Sequence, residues 1–140
     1  LAGALDADRL AVWSDRLAAP SLALHLLIAE RDDEALGFVY AMGGADPHWG
    51  TLVDNLHVLP KAKGNGVGAR LLRAAAGWTV GAFPQGGLHL FCYAENRPAR
   101  AFYKRMGGRV VEESDRIAPD GRTAPEVRYY WADVVALAGM

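Results

Sequence analysis

The chain has 140 residues, of which 51% are hydrophobic and 22% charged, and its formal net charge is -1. That length and composition suit one domain with a sizeable core and exclude a disordered chain, while the near-neutral balance excludes nucleic-acid or anionic-membrane binding by bulk charge. Cys92 is the only cysteine, which excludes an intramolecular disulfide scaffold.

In chain order, Leu10, Trp13 and Leu17 recur at helical spacing until Pro20, and this predicts an amphipathic helix. Residues 22–29 and 35–42 are apolar runs around the polar cluster Glu30 to Glu34, which predicts two strands and a charged hairpin turn. Residues 43–50 are rich in breakers and are expected to form a loop; a strand follows over 51–58. After a glycine-rich turn, Val67, Leu71, Leu72, Ala75 and Trp78 share one face of a predicted helix. Residues 88–93 read as a strand. Asn96 with Pro98 then marks a helix start, and Gly107-Gly108 its stop. Residues 110–113 and 127–131 read as two closing strands around the turn-rich segment 118–122. The order predicts a single α/β or α+β domain over 1–140, built on a mixed sheet.

The chemistry concentrates where residues 56–72 pass from a strand through Lys63-Gly64-Asn65-Gly66-Val67-Gly68 into a helix. Glycines allow close backbone approach and positive φ, and the N–H groups and positive dipole end of a helix attract anions. No carboxylate lies between Asp54 and Glu95, whereas Lys61, Lys63, Arg70 and Arg73 all do, so a pyrophosphate meets no like charge there. A Walker-type loop is excluded, because no Gly-Lys-Ser/Thr is present in the turn. A dinucleotide fingerprint fails for want of the acid expected about 20 residues on.

Val58-x-Pro60-x-x-Lys63-Gly64-x-Gly66-Val67-Gly68, followed by Leu71-Leu72, resembles the acetyl-CoA signature of the GNAT superfamily of N-acetyltransferases, Arg/Gln-x-x-Gly-x-Gly/Ala. Asn96-x-x-Ala99-x-x-Phe102-Tyr103-x-x-x-Gly107 resembles the second part of that pattern, in the correct order and spacing. The resemblance covers about residues 22–131. It implies a GNAT-type acyl-CoA N-acyltransferase fold with a mixed, mostly antiparallel twisted sheet flanked by helices, and a V-shaped opening between the strands ending near Val58 and Tyr93. Acetyl-CoA would be the cosubstrate. Its pantetheine arm and acyl carbonyl would meet backbone groups of Leu56, His57 and Val58, and its pyrophosphate the turn formed by Lys63, Gly64, Asn65, Gly66, Val67, Gly68 and Ala69. Asn96 would contact CoA, and Tyr103 would act as general acid toward the departing thiolate. Lys63 stands where the family has Arg or Gln; it keeps the charge but loses planar bidentate geometry, which weakens cofactor affinity rather than abolishing it.

An acceptor amine is mostly protonated near pH 7, so a base is expected, and Glu30, His48, Asp54 and His57 are the candidates, with an ordered-water relay as an equal alternative. His25, His48, His57 and His89 show no metal-ligand spacing with Cys92 or with one another, and no metal is expected. The reaction implied is direct acetyl transfer to a primary amine of a small molecule, with a protein or peptide amine, or a non-catalytic acyl-CoA sensor, as alternatives. The acceptor pocket is expected between the N-terminal helix, the 43–50 loop and the 118–125 loop, with His48, Trp49 and Trp131 as an aromatic wall. The apolar tail 134–140 is compatible with a homodimer. No apolar run approaches the roughly 20 residues of a membrane span, and no signal peptide is evident, so a cytoplasmic protein with no membrane or nucleic-acid partner is expected. The chain begins at Leu1 without methionine, and a native N-terminus upstream is expected.

Overall fold

The computed structural model describes residues 10–14 and 23–140. Its strands are β1 (Ala11–Ser14), β2 (Leu24–Arg31), β3 (Glu34–Asp46), β4 (Gly50–Val58), β5 (Leu88–Tyr93), β6 (Arg109–Ile117) and β7 (Thr123–Trp131). Its helices are α1 (Val67–Ala82), α2 (Arg97–Arg105) and α3 (Val134–Ala138), and a single 3-10 turn, Pro60–Ala62, precedes α1. Among the described residues the strands form one sheet in the order β1-β2-β3-β4-β5-β7-β6. Every neighbouring pair is antiparallel except β4 and β5, which run parallel. This is the mixed, mostly antiparallel sheet flanked by helices that the motifs imply.

Side chains alternate across the strands, and one face receives all three helices. Val39, Val53, Leu88, Leu90, Val127, Tyr129 and Trp131 are buried there with Leu71, Leu72, Ala75 and Ala76 of α1 and Val134 and Leu137 of α3. Gly37 allows the close approach of β3 and α1, since a Cβ there would lie 2.5 Å from the His57 carbonyl oxygen and 3.2 Å from Leu71 Cδ1. Val134 and Leu137, part of the tail read as a dimer surface, belong to this core, leaving Val135 and Met140 exposed. No helix among the described residues is long and apolar enough to cross a membrane.

Three local readings are corrected. Ala11 to Ser14 form a strand paired with β2, not a helix, and the rest of the expected helix lies outside the described residues. Three apolar positions over eight residues support either period weakly, and a partner for the β2 edge decides the matter. Second, β3 runs through Gly43 and Gly44 to Asp46, so only residues 47–49 form the turn. Gly43 is not a breaker: a Cβ there would lie 2.0 Å from the Phe83 ring, so packing demands the glycine. Third, β6 and β7 are longer than read, because their outer halves stand clear of the core and carry charge instead of apolar periodicity. Arg116 of β6 bonds Glu126 of β7 at 3.2 Å in that region.

Candidate active site

The parallel junction of β4 and β5 is short. It consists of Thr51 opposite Leu88 and Leu52 opposite His89. Immediately beyond it, β4 carries a bulge: Asn55 pairs with Tyr40 and Val53 with Ala41, leaving Asp54 as the extra residue. The bulge changes the phase of the strand, so that both Val53 before it and Leu56 and Val58 after it pack on the helix side. From this point the two strands part toward Val58 and Tyr93, the V-shaped opening the motifs imply.

Backbone direction follows from the same register. The Leu59 N–H donates to the Leu36 carbonyl at 2.8 Å, and the His57 carbonyl also faces β3, beside Gly37. Alternation therefore turns the N–H and C=O groups of Leu56 and Val58 toward the β5 side, where no described strand pairs with them. Of the three backbone positions expected at the opening, Leu56 and Val58 point into it and His57 points away.

The turn that follows is shaped by two glycines. Gly64 has φ 83° and Gly66, the N-cap of α1, has φ 78°; a Cβ at either would meet nothing within 4 Å. Glycine is required there by backbone conformation, and the space above the turn is open. No side chain caps α1 and no acid lies in its first turn. The first intrahelical bond is Arg70 N–H to the Gly66 carbonyl, leaving the N–H groups of Val67, Gly68 and Ala69 for a ligand. Asn65 instead bonds back to the Ala62 carbonyl through its side chain at 3.3 Å. Lys61 is paired with Glu34, whereas Lys63 is exposed and makes no ion pair among the described residues.

The β5 side of the opening carries α2. Asn96 caps it by accepting the Ala99 N–H at 3.3 Å, which leaves its amide NH2 without a described partner. Arg100 fastens the helix, donating to the Tyr129 hydroxyl and the Ala94 carbonyl, each at 3.2 Å. One turn on, Tyr103 packs between Phe102, Tyr129 and Trp131, at ring-centroid distances of 5.3, 5.5 and 6.2 Å. Burial, with a smaller contribution from Cys92, pushes its phenol up to about 12, so it keeps its proton throughout the physiological range. Its hydroxyl makes no hydrogen bond among the described residues. Burial also pushes the neighbouring Cys92 thiol up, as suits a small half-buried strand residue.

The base candidates separate. Asp54 is exposed on the bulge where β4 leaves β5. His57 is exposed on the same strand, its ring tilted against Phe38 at 5.6 Å, toward β3. His48 sits in the 47–49 turn at the opposite end of β4 from Val58, edge-on to Trp49. Glu30 lies two strands from β4 and accepts the Trp13 indole N–H at 3.2 Å. The structure thus leaves Asp54 and His57 near the opening and takes Glu30 and His48 away from it. Trp131 is likewise no acceptor wall: it is buried on the helix side, its indole N–H bonded to the Met106 carbonyl. His89 is 2% exposed and bonded to Arg128, a residue that sequence reasoning passed over. Arg128 lies in an unremarkable strand, and only its alternation with Val127 and Tyr129 hinted that it faces away from the helices. No group of three His, Cys, Asp or Glu among the described residues could hold a metal.

A mixed sheet that parts beside a basic glycine turn, with helices packed against it, is the GNAT-type fold that the sequence motifs imply. The chain belongs to the acetyltransferase (GNAT) family, whose model matches residues 4–108. No curated protein matches the chain in sequence. Among solved structures it is similar to NAA60 of Arabidopsis thaliana in complex with a bisubstrate analogue, with 25% identity over 78% of this chain and 75% of that one and a TM-score of 0.65. It is similar in fold to a GNAT family acetyltransferase of Elizabethkingia anophelis with acetyl-CoA bound, at 13% identity over 89% of this chain and 99% of that one, with a TM-score of 0.72. A provisionally named streptothricin acetyltransferase of Bacillus anthracis, in complex with acetyl coenzyme A, shares the fold at 17% identity over 89% of this chain and 82% of that one, with a TM-score of 0.71.

Proposed function

We propose that the protein transfers acetyl from acetyl-CoA directly to the primary amine of a small molecule, with residues 1–140 acting as one domain. The observation that carries the reading is the unpaired edge of β4 at Leu56 and Val58, set beside the open glycine turn. The residues present fit the cosubstrate. The free N–H groups of Val67, Gly68 and Ala69, with Lys63 beside them, suit a pyrophosphate, and the Asn96 amide is available on the other arm. Acetyl-CoA supplies the activated acyl group as a thioester.

Leu56 and Val58 offer N–H donors to the pantetheine amides and to the acyl oxygen as it gains charge. The ammonium first loses one proton to solvent; as the neutral nitrogen bonds to the acyl carbon, Asp54 receives its second proton, directly or through water, and that proton passes to the CoA sulfur as the carbon–sulfur bond breaks. A phenol near 12 is a weaker acid than a thiol at about 8.5, so Tyr103 acts mainly by donating a hydrogen bond to the departing sulfur. Holding both reactants side by side supplies much of the rate. A peptide amine is the second reading. It is favoured by the exposure of Asp54, Asn55, His57 and Tyr93 around the opening, which leaves room for a substrate extending beyond it.

The test is CoA thiol release from acetyl-CoA across amino acids, polyamines, aminoglycosides, arylalkylamines and short peptides, each against a blank without amine. Release above blank is expected with one small-amine class. Release with peptides alone moves the acceptor to the second reading, and calorimetric binding of acetyl-CoA with no release from any amine makes the protein a CoA sensor.

A further inference from the structure

We propose that Arg128 is a positioning residue that straps the two arms of the cleft together at its closed end, an inference that rests on the acetyl-transfer reading above. One arm, β1 to β4, carries the glycine turn and the Leu56 and Val58 donors. The other arm, β5-β7-β6, carries α2 and Tyr103. The group that meets the acyl oxygen and the group that meets the leaving sulfur therefore belong to different arms, and their separation is set where the arms join. The sheet joins them through the two residue pairs Thr51 with Leu88 and Leu52 with His89. On the helix face, packing of α3 on α1 spans the join. On the opposite face the join is spanned by Arg128 and its partners.

Arg128 projects from β7 with its side chain 12% exposed, and every guanidinium nitrogen is engaged. Nε and Nη2 both reach Glu112 Oε1 on β6, at 3.2 and 3.0 Å. Nη1 donates to His89 Nδ1 on β5 at 3.0 Å and lies 3.7 Å from Asp46 Oδ2 at the end of β3. The guanidinium carbon stands 4.5 Å from the Phe91 ring centroid and 5.5 Å from that of Trp49. Asp46 is itself fixed, because its other oxygen accepts the N–H groups of His48 and Trp49, both at 2.8 Å, and Trp49 lies edge-on to Tyr130 of β7 at 5.0 Å. The backbones at the join also touch: a Cβ on Gly50 would lie 2.2 Å from the Gly87 carbonyl oxygen. One planar, always-charged fork thus links the β3–β4 hairpin to β5, β7 and β6, a task that a single ammonium cannot perform.

If the strap sets the spacing of the arms, its loss displaces Tyr103 relative to β4 while leaving the phosphate turn, which lies wholly on one arm, in place. For Arg128→Met we expect kcat, with the amine that gives release in the panel, to fall about ten- to a hundredfold, since misplacement of about 1 Å has that scale of effect. Calorimetric acetyl-CoA affinity should change less than about threefold. In a Tyr103→Phe background the same substitution should cost much less, because the residue whose placement it governs is gone; a merely structural role gives equal losses in both backgrounds. Hydrogen exchange needs no acceptor and should quicken at Thr51, whose N–H bonds the Gly87 carbonyl at 2.9 Å. Unchanged exchange there, or equal losses in the two backgrounds, overturns the strap. Should Arg128→Met fail to fold, Asp46→Asn keeps the turn's acceptor oxygen and removes the ion pair across the join, with the same effects expected on a smaller scale. Wild-type protein that binds no acetyl-CoA overturns the acetyl-transfer reading, and the strap with it; wild-type binding with unaltered Arg128→Met behaviour overturns the strap alone.

Discussion

Tyr103 keeps its proton because three aromatic neighbours and the strand beneath it exclude water, and the same packing fixes where the hydroxyl points. Tyr103→Phe removes only that oxygen, so the aromatic contacts survive. We expect kcat to fall about ten- to a hundredfold with acetyl-CoA affinity within about twofold, as for a group that acts on the transition state alone; steady-state kinetics and calorimetry check this. Asp54 owes its position to the bulge, which lifts one residue out of register where β4 leaves β5. Asp54→Asn should lower kcat/KM about ten- to a hundredfold, whereas His57→Gln, whose ring leans on Phe38, should change it by no more than about threefold; steady-state kinetics check both.

Among elements, α1 is a 16-residue helix with an apolar face, entered through a glycine and left uncapped, and the proposed anion site needs nothing more. Gly66→Ala places a side chain at φ 78° but creates no clash. The cost is conformational, about 1–2 kcal/mol in chemical denaturation, and acetyl-CoA affinity should fall by more than the lost stability explains, because the turn's N–H groups are re-aimed. α1, α2 and β5 were legible in the sequence, since each combines a periodic apolar face with punctuation by glycine, asparagine or proline. β1 and the ends of β3, β6 and β7 were not. Their boundaries depend on a partner strand or, at Gly43, on the Phe83 ring, and neither is local information.

At the scale of the whole molecule, the join between the arms also sets a pH limit. Burial first, and the Arg128 charge second, push His89 down to about 4, so the folded protein keeps it neutral where an unfolded chain, titrating near 6.5, takes up a proton. The unfolded state binds more protons across that window, so stability is full above about pH 6.5 and falls as pH drops toward 4, by up to about 3 kcal/mol. Urea midpoints against pH should show this slope, and His89→Gln, which keeps an acceptor for Arg128, should lose that part of it.

By itself, the sequence determined the family and the glycine turn that opens α1, because a glycine needed for positive φ, a lysine without an acid nearby and an Asn cap are local requirements that survive translation into a linear pattern. The placing of Asn96 as the cap and Tyr103 on the inner face of α2 was legible for the same reason: they stand at fixed offsets along one helix. Tertiary structure decided the rest. It turned the backbone groups of Leu56 and Val58, and not those of His57, toward the β5 side, set Glu30 and His48 away from the opening, buried Trp131, and gathered Arg128, His89, Asp46 and Glu112 from four strands into one cluster. Strand order and register bring such residues together across up to 82 positions of chain, and a bulge of one residue changes which side each group faces.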